Sequence, residues 1–241
     1  MSVQELEKSV AVLPETIQPE NDEPEYYYEL YPTREDLMSE SVAQSQLIYY
    51  LLSVLFWYYQ QEGWLIVDDL KIFRASRRYK SYPVAPDIAV FKGVVLTAAQ
   101  KRRLKSWKMI LPHRPAPNVV FEIASGGTWK EDLEDKPRKY QRLGVKEYFA
   151  YDPNDPMLWK GTAYRLRGWR YSGRKMIELE PDERGWLWSE ELESWLVPDE
   201  AYLRLYDRNG QLRLTEKEAE QAAKEKAWAK LRELGINPED L

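Results

Sequence analysis

The chain has 241 residues, 44% hydrophobic and 31% charged, which suits one large domain with a substantial core or one domain with appendages. With no cysteine and a single histidine, His113, it excludes a disulfide framework, a thiolate nucleophile, Cys-ligated zinc and a multi-histidine metal site within one chain. The formal net charge of −5 hides an uneven distribution: residues 1–25 carry seven acids against one lysine, whereas residues 71–146 carry 18 Lys and Arg against 6 Asp and Glu, an excess of +12.

Residues 1–28 are acidic, contain three prolines and lack an apolar period, as expected of a mobile arm. Thr33, followed three residues later by Asp36, has helix-start chemistry. From Ser41 to Gln61, Ile48, Leu51, Leu52, Leu55 and Tyr59 recur at spacings of three and four, which predicts a helix that Gly63 ends. "WLIVDDLKIFRAS" predicts one strand, or two interrupted near Asp68, and "APDIAVF" another. A basic, partly helical excursion through Trp107 leads to the buried strand "NVVFEIA". A helix over 129–143 and the strand "KEYFAYD" follow, and Pro137 must kink that helix or split it. The order predicts a mixed α/β sheet flanked by helices, the helix over 129–143 crossing between two strands.

Beyond Asp152 short aromatic segments predict β-hairpins packed on the main sheet. The last segment is an Ala-rich charged helix whose stripe from Ala219 to Leu234 suits docking, self-association into a homodimer, or an appended solvated helix. The expected organisation is an arm over 1–28, a domain over 29–210 with its core at 41–153 and a β-rich extension at 154–210, and a helical tail over 211–241. No run of about 18 apolar residues is present to span a bilayer, and the first residues lack signal-peptide chemistry, so a soluble cytoplasmic protein is expected.

Glu122 stands inside an apolar strand, where an ionised carboxylate must either face outward or meet a cation or metal. Asp87, at the start of another apolar strand, raises the same question. If the two strands adjoin, their like charges call for a divalent cation, and oxygen donors without histidine or cysteine favour Mg²⁺ or Mn²⁺. A nearby lysine would complete a set able to cleave phosphodiesters. The basic runs "RASRRYK" and "QKRRLKSWK" carry Tyr79 and Trp107 and suit either DNA phosphates or a solvated face. Ser125, Gly126, Gly127 and Thr128 are expected to form a strand-to-helix turn, glycines permitting positive φ and Thr128 capping the helix.

At these residues the chain resembles the Uma-two endonuclease family, a branch of the PD-(D/E)XK, or restriction-endonuclease-like, superfamily. The resemblance rests on "APDIAVF", on "VVFEIASGGTWKEDLEDK" and, most specifically, on "YQRLGVKEYFAYDP". It covers residues 41–153, and the ending "AKLRELGINPEDL" also looks like the tail of many members. It implies a restriction-endonuclease-like fold and metal-dependent hydrolysis of DNA, with Asp87 and Glu122 as metal ligands and the Ile123 carbonyl as a third. The superfamily's lysine usually lies two residues after the Glu, where this chain has Ala124, and the resemblance points instead to Lys136. Asp132 matches the family's Asp and is a candidate for shaping the site by pairing Lys136 at i+4, although "KEDLEDK" equally has the composition of a solvated helix face. Many members carry a histidine on the first long helix, where this chain offers Gln44 and Gln46, so a first-helix contribution would fall to Glu40, a residue that near a helix start equally suits ordinary dipole chemistry. The competing expectation is a non-catalytic nuclease-fold protein that binds nucleic acid or serves as a scaffold, and Ala124 is its best support. A small-molecule enzyme lacks a phosphate-cradling glycine motif of the P-loop or dinucleotide type.

Overall fold

The computed structural model describes residues 42–59, 62–74, 83–111, 113–235 and 237; the acidic arm, Thr33, Asp36, Glu40 and the basic residues 75–80 lie outside the described residues. Helix α1 (Val42–Tyr59) buries Leu47, Ile48, Leu51, Leu52, Leu55 and Tyr59 along one face. Gly63 then turns the chain at φ 72, a conformation a residue without Cβ adopts freely. The next apolar run forms two strands, β1 (Leu65–Asp68) and β2 (Lys71–Arg74), broken where Asp69 takes φ 44. After β3 (Ile88–Phe91) the basic excursion contains a short helix α2 (Ala98–Arg103) and β4 (Ser106–Met109), so Trp107 stands in a strand.

Strand β5 (Val119–Ile123) leads into a helical crossover in two pieces, α3 (Trp129–Glu134) and α4 (Lys136–Leu143), and returns as β6 (Glu147–Tyr151). The split falls at Asp135, because Pro137 has no N–H to continue the first helix and is well placed in the first turn of the second. Gly144 closes α4 at φ 91.

Strands β7 (Leu166–Ser172) and β8 (Lys175–Glu178) complete a six-stranded sheet of order β1-β3-β5-β6-β7-β8. Its β5–β6 pair is parallel and its other pairs are antiparallel. The expectation that the hairpins after Asp152 pack on the main sheet is corrected for this pair: β7 hydrogen-bonds along the open edge of β6, so the hairpin extends the sheet. Strands β9 (Leu187–Ser189), β10 (Ser194–Asp199) and β11 (Tyr202–Tyr206) do form a separate antiparallel sheet that packs on it.

Alternation along the central strands sorts their side chains between two cores. Ile88, Val90, Phe121, Ile123 and Phe149 pack with α1 and the three-stranded sheet. Ala89, Phe91, Val120, Tyr148 and Ala150 pack on the other side with Tyr140 and Leu143 of α4 and with Ile72 and Trp107. By the same parity Glu122 and Ala124 belong to the second side, under the helical crossover. The architecture is thus mixed α/β, a central sheet flanked by helices and extra strands. The final helix α5 (Glu216–Glu233) starts at a full Thr215–Glu218 capping box and buries none of its side chains. Among the described residues no helix is long and apolar enough to cross a membrane.

A second buried carboxylate fastens the two sheets together. Glu147 accepts from Ser189 Oγ at 2.5 Å, from the Glu190 and Glu191 N–H groups at 3.0 and 3.2 Å, and from Arg170 Nε at 3.0 Å. Ser189 Oγ also accepts from the Leu192 N–H at 3.0 Å. Ser189→Ala removes a hydrogen bond to a charged group and is expected to cost about 1.5–3 kcal/mol in urea unfolding. A loss below about 0.5 kcal/mol would show that Arg170 and the two backbone groups hold the carboxylate without it.

Candidate active site

Asp87 immediately precedes β3, and extending the Ile88–Phe121 register by one residue sets it opposite Glu122. Residues directly opposite in an antiparallel pair share a face, so the two carboxylates lie on the same side of the sheet. Asp87 Oδ2 accepts from the Ile123 N–H at 2.5 Å, which fixes the carboxylate against the neighbouring strand.

Glu122 is 2% exposed and is held from above by α4. Lys136 Nζ lies 3.0 Å from Glu122 Oε2, and the Tyr140 hydroxyl donates to Glu122 Oε1. Lys136 and Tyr140 stand four residues apart on one helix, a spacing that stacks them on one face, so a single helix grips both oxygens of one carboxylate. The Lys136 ammonium also lies 3.0 Å from Asp132 Oδ1, and both residues are buried. Two carboxylates facing one ammonium that is only 3% exposed offset the cost of taking its charge out of water.

Around this triad the structure supplies further supports. Tyr148 donates to the Asp132 carbonyl at 2.7 Å, beside the helix break. Its hydroxyl is pushed well above the usual tyrosine range, first by burial and then by the charges of Asp132, Glu122 and Asp87. Thr128 does not cap α3: its side chain makes no cap hydrogen bond, lies 2.9 Å from Ser125 Oγ and donates to Asp132 Oδ2 at 3.5 Å. Gly126 is not among the positive-φ glycines, so the turn uses ordinary backbone there. On the opposite face of the sheet Gln44 of α1, itself buried, donates Nε2 to the Ile123 carbonyl at 3.1 Å.

Asp87, Glu122, Lys136 and Asp132 are thus brought to one end of the central sheet, with the Ile123 carbonyl beside them. Glu40 lies outside the described residues. Tyr140, Tyr148 and the contact made by Gln44 were not foreseen as site features, although the four-residue step from Lys136 to Tyr140 was visible in the sequence. Among the described residues no group of three or more His, Cys, Asp or Glu is arranged to hold a metal ion. What is present is a pair of carboxylates and a backbone carbonyl, an all-oxygen set of the kind a hard cation uses when it keeps several of its waters.

The family described as "Uma2: Putative restriction endonuclease" matches residues 15–223. Among solved structures the chain is similar to one described as a "putative nuclease belonging to DUF820 from Anabaena variabilis ATCC 29413", with 15% identity, coverage of 67% of this chain and 74% of that one, and a TM-score of 0.43. No curated protein matches the chain.

Proposed function

The chain belongs to the Uma2 family, and from that membership and the geometry around Glu122 we propose that it is a metal-dependent endonuclease of the restriction-endonuclease-like type, acting on DNA phosphodiester bonds. The observation that carries the reading is the Lys136 ammonium, 3.0 Å from Glu122 although the position two residues after that Glu is Ala124. In this reading the helix delivers the cation that a strand lysine would otherwise supply. Ala124 is buried on the same face as Glu122, and its small side chain leaves room for that delivery.

Asp87, Glu122 and the Ile123 carbonyl would hold Mg²⁺ or Mn²⁺. Such an ion, when bound, activates a water and offsets charge on the transferring phosphoryl group. Gln44 fixes the Ile123 carbonyl from behind, and Tyr140 fixes the rotamer of Glu122. Lys136 presents positive charge beside the carboxylates, where it would steady a phosphate oxygen as negative charge develops there. Asp132 holds that ammonium in place from the other side.

A second reading is favoured by the same triad. An ammonium that is 3% exposed and engaged by two carboxylates is also what a purely structural ion cluster looks like, which suits a nuclease-fold protein that binds nucleic acid or acts as a scaffold. Incubating supercoiled plasmid and single-stranded DNA with the purified chain separates the two. Nicking with Mg²⁺ or Mn²⁺ and none with EDTA is expected, and intact DNA under every metal condition would leave the scaffold reading in its place.

A further inference from the structure

Between Ile88 and Phe121 the chain runs for 34 residues without an acid, although 40 of its 241 residues are Asp or Glu. That stretch carries seven Lys and Arg. At its centre α2 is held by a full capping box, in which Gln100 N–H donates to Thr97 Oγ1 at 3.2 Å and Thr97 N–H to Gln100 Oε1 at 2.8 Å. Yet α2 buries none of its side chains. A helix of six residues has little stability of its own; this one is held by its capping box and by Leu96 and Leu104 on either side of it, which pack against the core, so its own side chains are left facing solvent in a fixed arrangement.

Its last turn is Lys101, Arg102 and Arg103, all exposed. Elsewhere the exposed Arg184 pairs with Asp182, and the half-buried Arg167 and Arg204 pair with Glu178 and with Asp199 and Glu218. Among the described residues Lys101, Arg102 and Arg103 make no ion pair. Three adjacent cations without carboxylates in a chain of net charge −5 form a local positive field that an anion must compensate.

The register leads from this turn toward the carboxylates. Arg103 is three residues before Ser106, which pairs with Lys71; Lys71 follows the end of β1 at Asp68, which pairs with Ile88, the neighbour of Asp87. We propose that the C-terminal turn of α2, continued by Lys105, is a phosphate-contact surface for the nucleic-acid backbone, seating the strand whose phosphodiester faces Glu122 and Lys136. This rests on the nuclease reading above and adds to it the element that holds the substrate. Contacts of this kind carry affinity without reading sequence.

The test uses the full chain in EDTA, where binding is separated from cleavage, with a labelled DNA duplex followed by fluorescence anisotropy across a salt series. Three phosphate contacts contribute about 2.7 to the slope of log affinity against log salt. The triple variant Lys101→Gln/Arg102→Gln/Arg103→Gln is expected to lose about 10-fold or more in affinity and to show a slope shallower by about that amount. Its thermal unfolding should match the parent, since none of the three side chains is buried. The variant Lys224→Gln/Lys226→Gln/Lys230→Gln on α5 removes the same number of charges, controls for net charge and is expected to bind as the parent does. Absence of binding by the parent chain at low salt would overturn the DNA reading itself. Binding by the parent with an unchanged slope in the triple variant would overturn the α2 surface alone. Tighter binding to phosphatidylserine vesicles than to DNA, lost in the triple variant, would assign the same cations to a lipid surface and overturn the proposal.

Discussion

Glu122→Gln is expected to abolish metal-dependent cleavage while leaving DNA binding in EDTA within about 2-fold of the parent. The amide is the same size, so the space beneath α4 stays filled and Tyr140 still finds an acceptor. What disappears is the negative charge that a hard cation requires and that Lys136 faces at 3.0 Å. A loss on the order of 10³-fold in rate is the scale for removing a principal electrostatic group from such a reaction. Gel assays of plasmid nicking under Mg²⁺ and Mn²⁺ measure it. Cleavage at the parental rate would remove Glu122 from the chemistry and would return the buried triad to a structural role.

Lys136→Ala is expected to reduce both rate and stability, and the second effect separates this site from one whose lysine stands in the open. Removing the ammonium leaves Glu122 and Asp132 facing each other across the gap, both nearly free of water. Breaking a buried ion pair by deleting one partner costs about 3–5 kcal/mol, a large share of the stability of any domain. Urea unfolding should show it, and the double variant Lys136→Ala/Glu122→Gln should recover part of the loss by removing one of the stranded charges. Below the melting range the surviving folded protein should cleave about 10²–10³ times more slowly. A stability change under about 1 kcal/mol would show that water reaches both carboxylates, because only solvation could replace the lost partner.

The carboxylate in the apolar strand and the Pro-Asp pair at the head of another were legible in the sequence because a charge among β-branched residues is a local anomaly that the alternation of a strand makes visible. The split of the crossover helix was legible for a similarly local reason, since Pro137 lacks the donor that a continuous helix needs. Gln44 was not. Its link to the Ile123 carbonyl joins positions 79 residues apart, and nothing in the pattern of α1 distinguishes it from Gln46 except which face the core selects. The capping role read for Thr128 failed because the residue takes an αR backbone, φ −114 and ψ −17, where an N-cap is extended, and its hydroxyl turns to Ser125 and Asp132 instead. The placement of β7 was equally hidden: whether a hairpin covers a sheet or lengthens it depends on which edge is open, and an edge is a property of the whole fold.

The helical crossover also bears on the order in which the protein comes together. Tyr140 and Glu122 are separated by 18 residues, and Lys136 stands closer still, whereas Gln44 must close a loop of 79 residues to reach the same strand. The logarithmic cost of loop closure makes the longer connection dearer by about 1.3 kcal/mol in chain entropy. The carboxylate and its ammonium therefore belong to the segment of chain that can meet first, before α1 has covered the opposite face of the sheet.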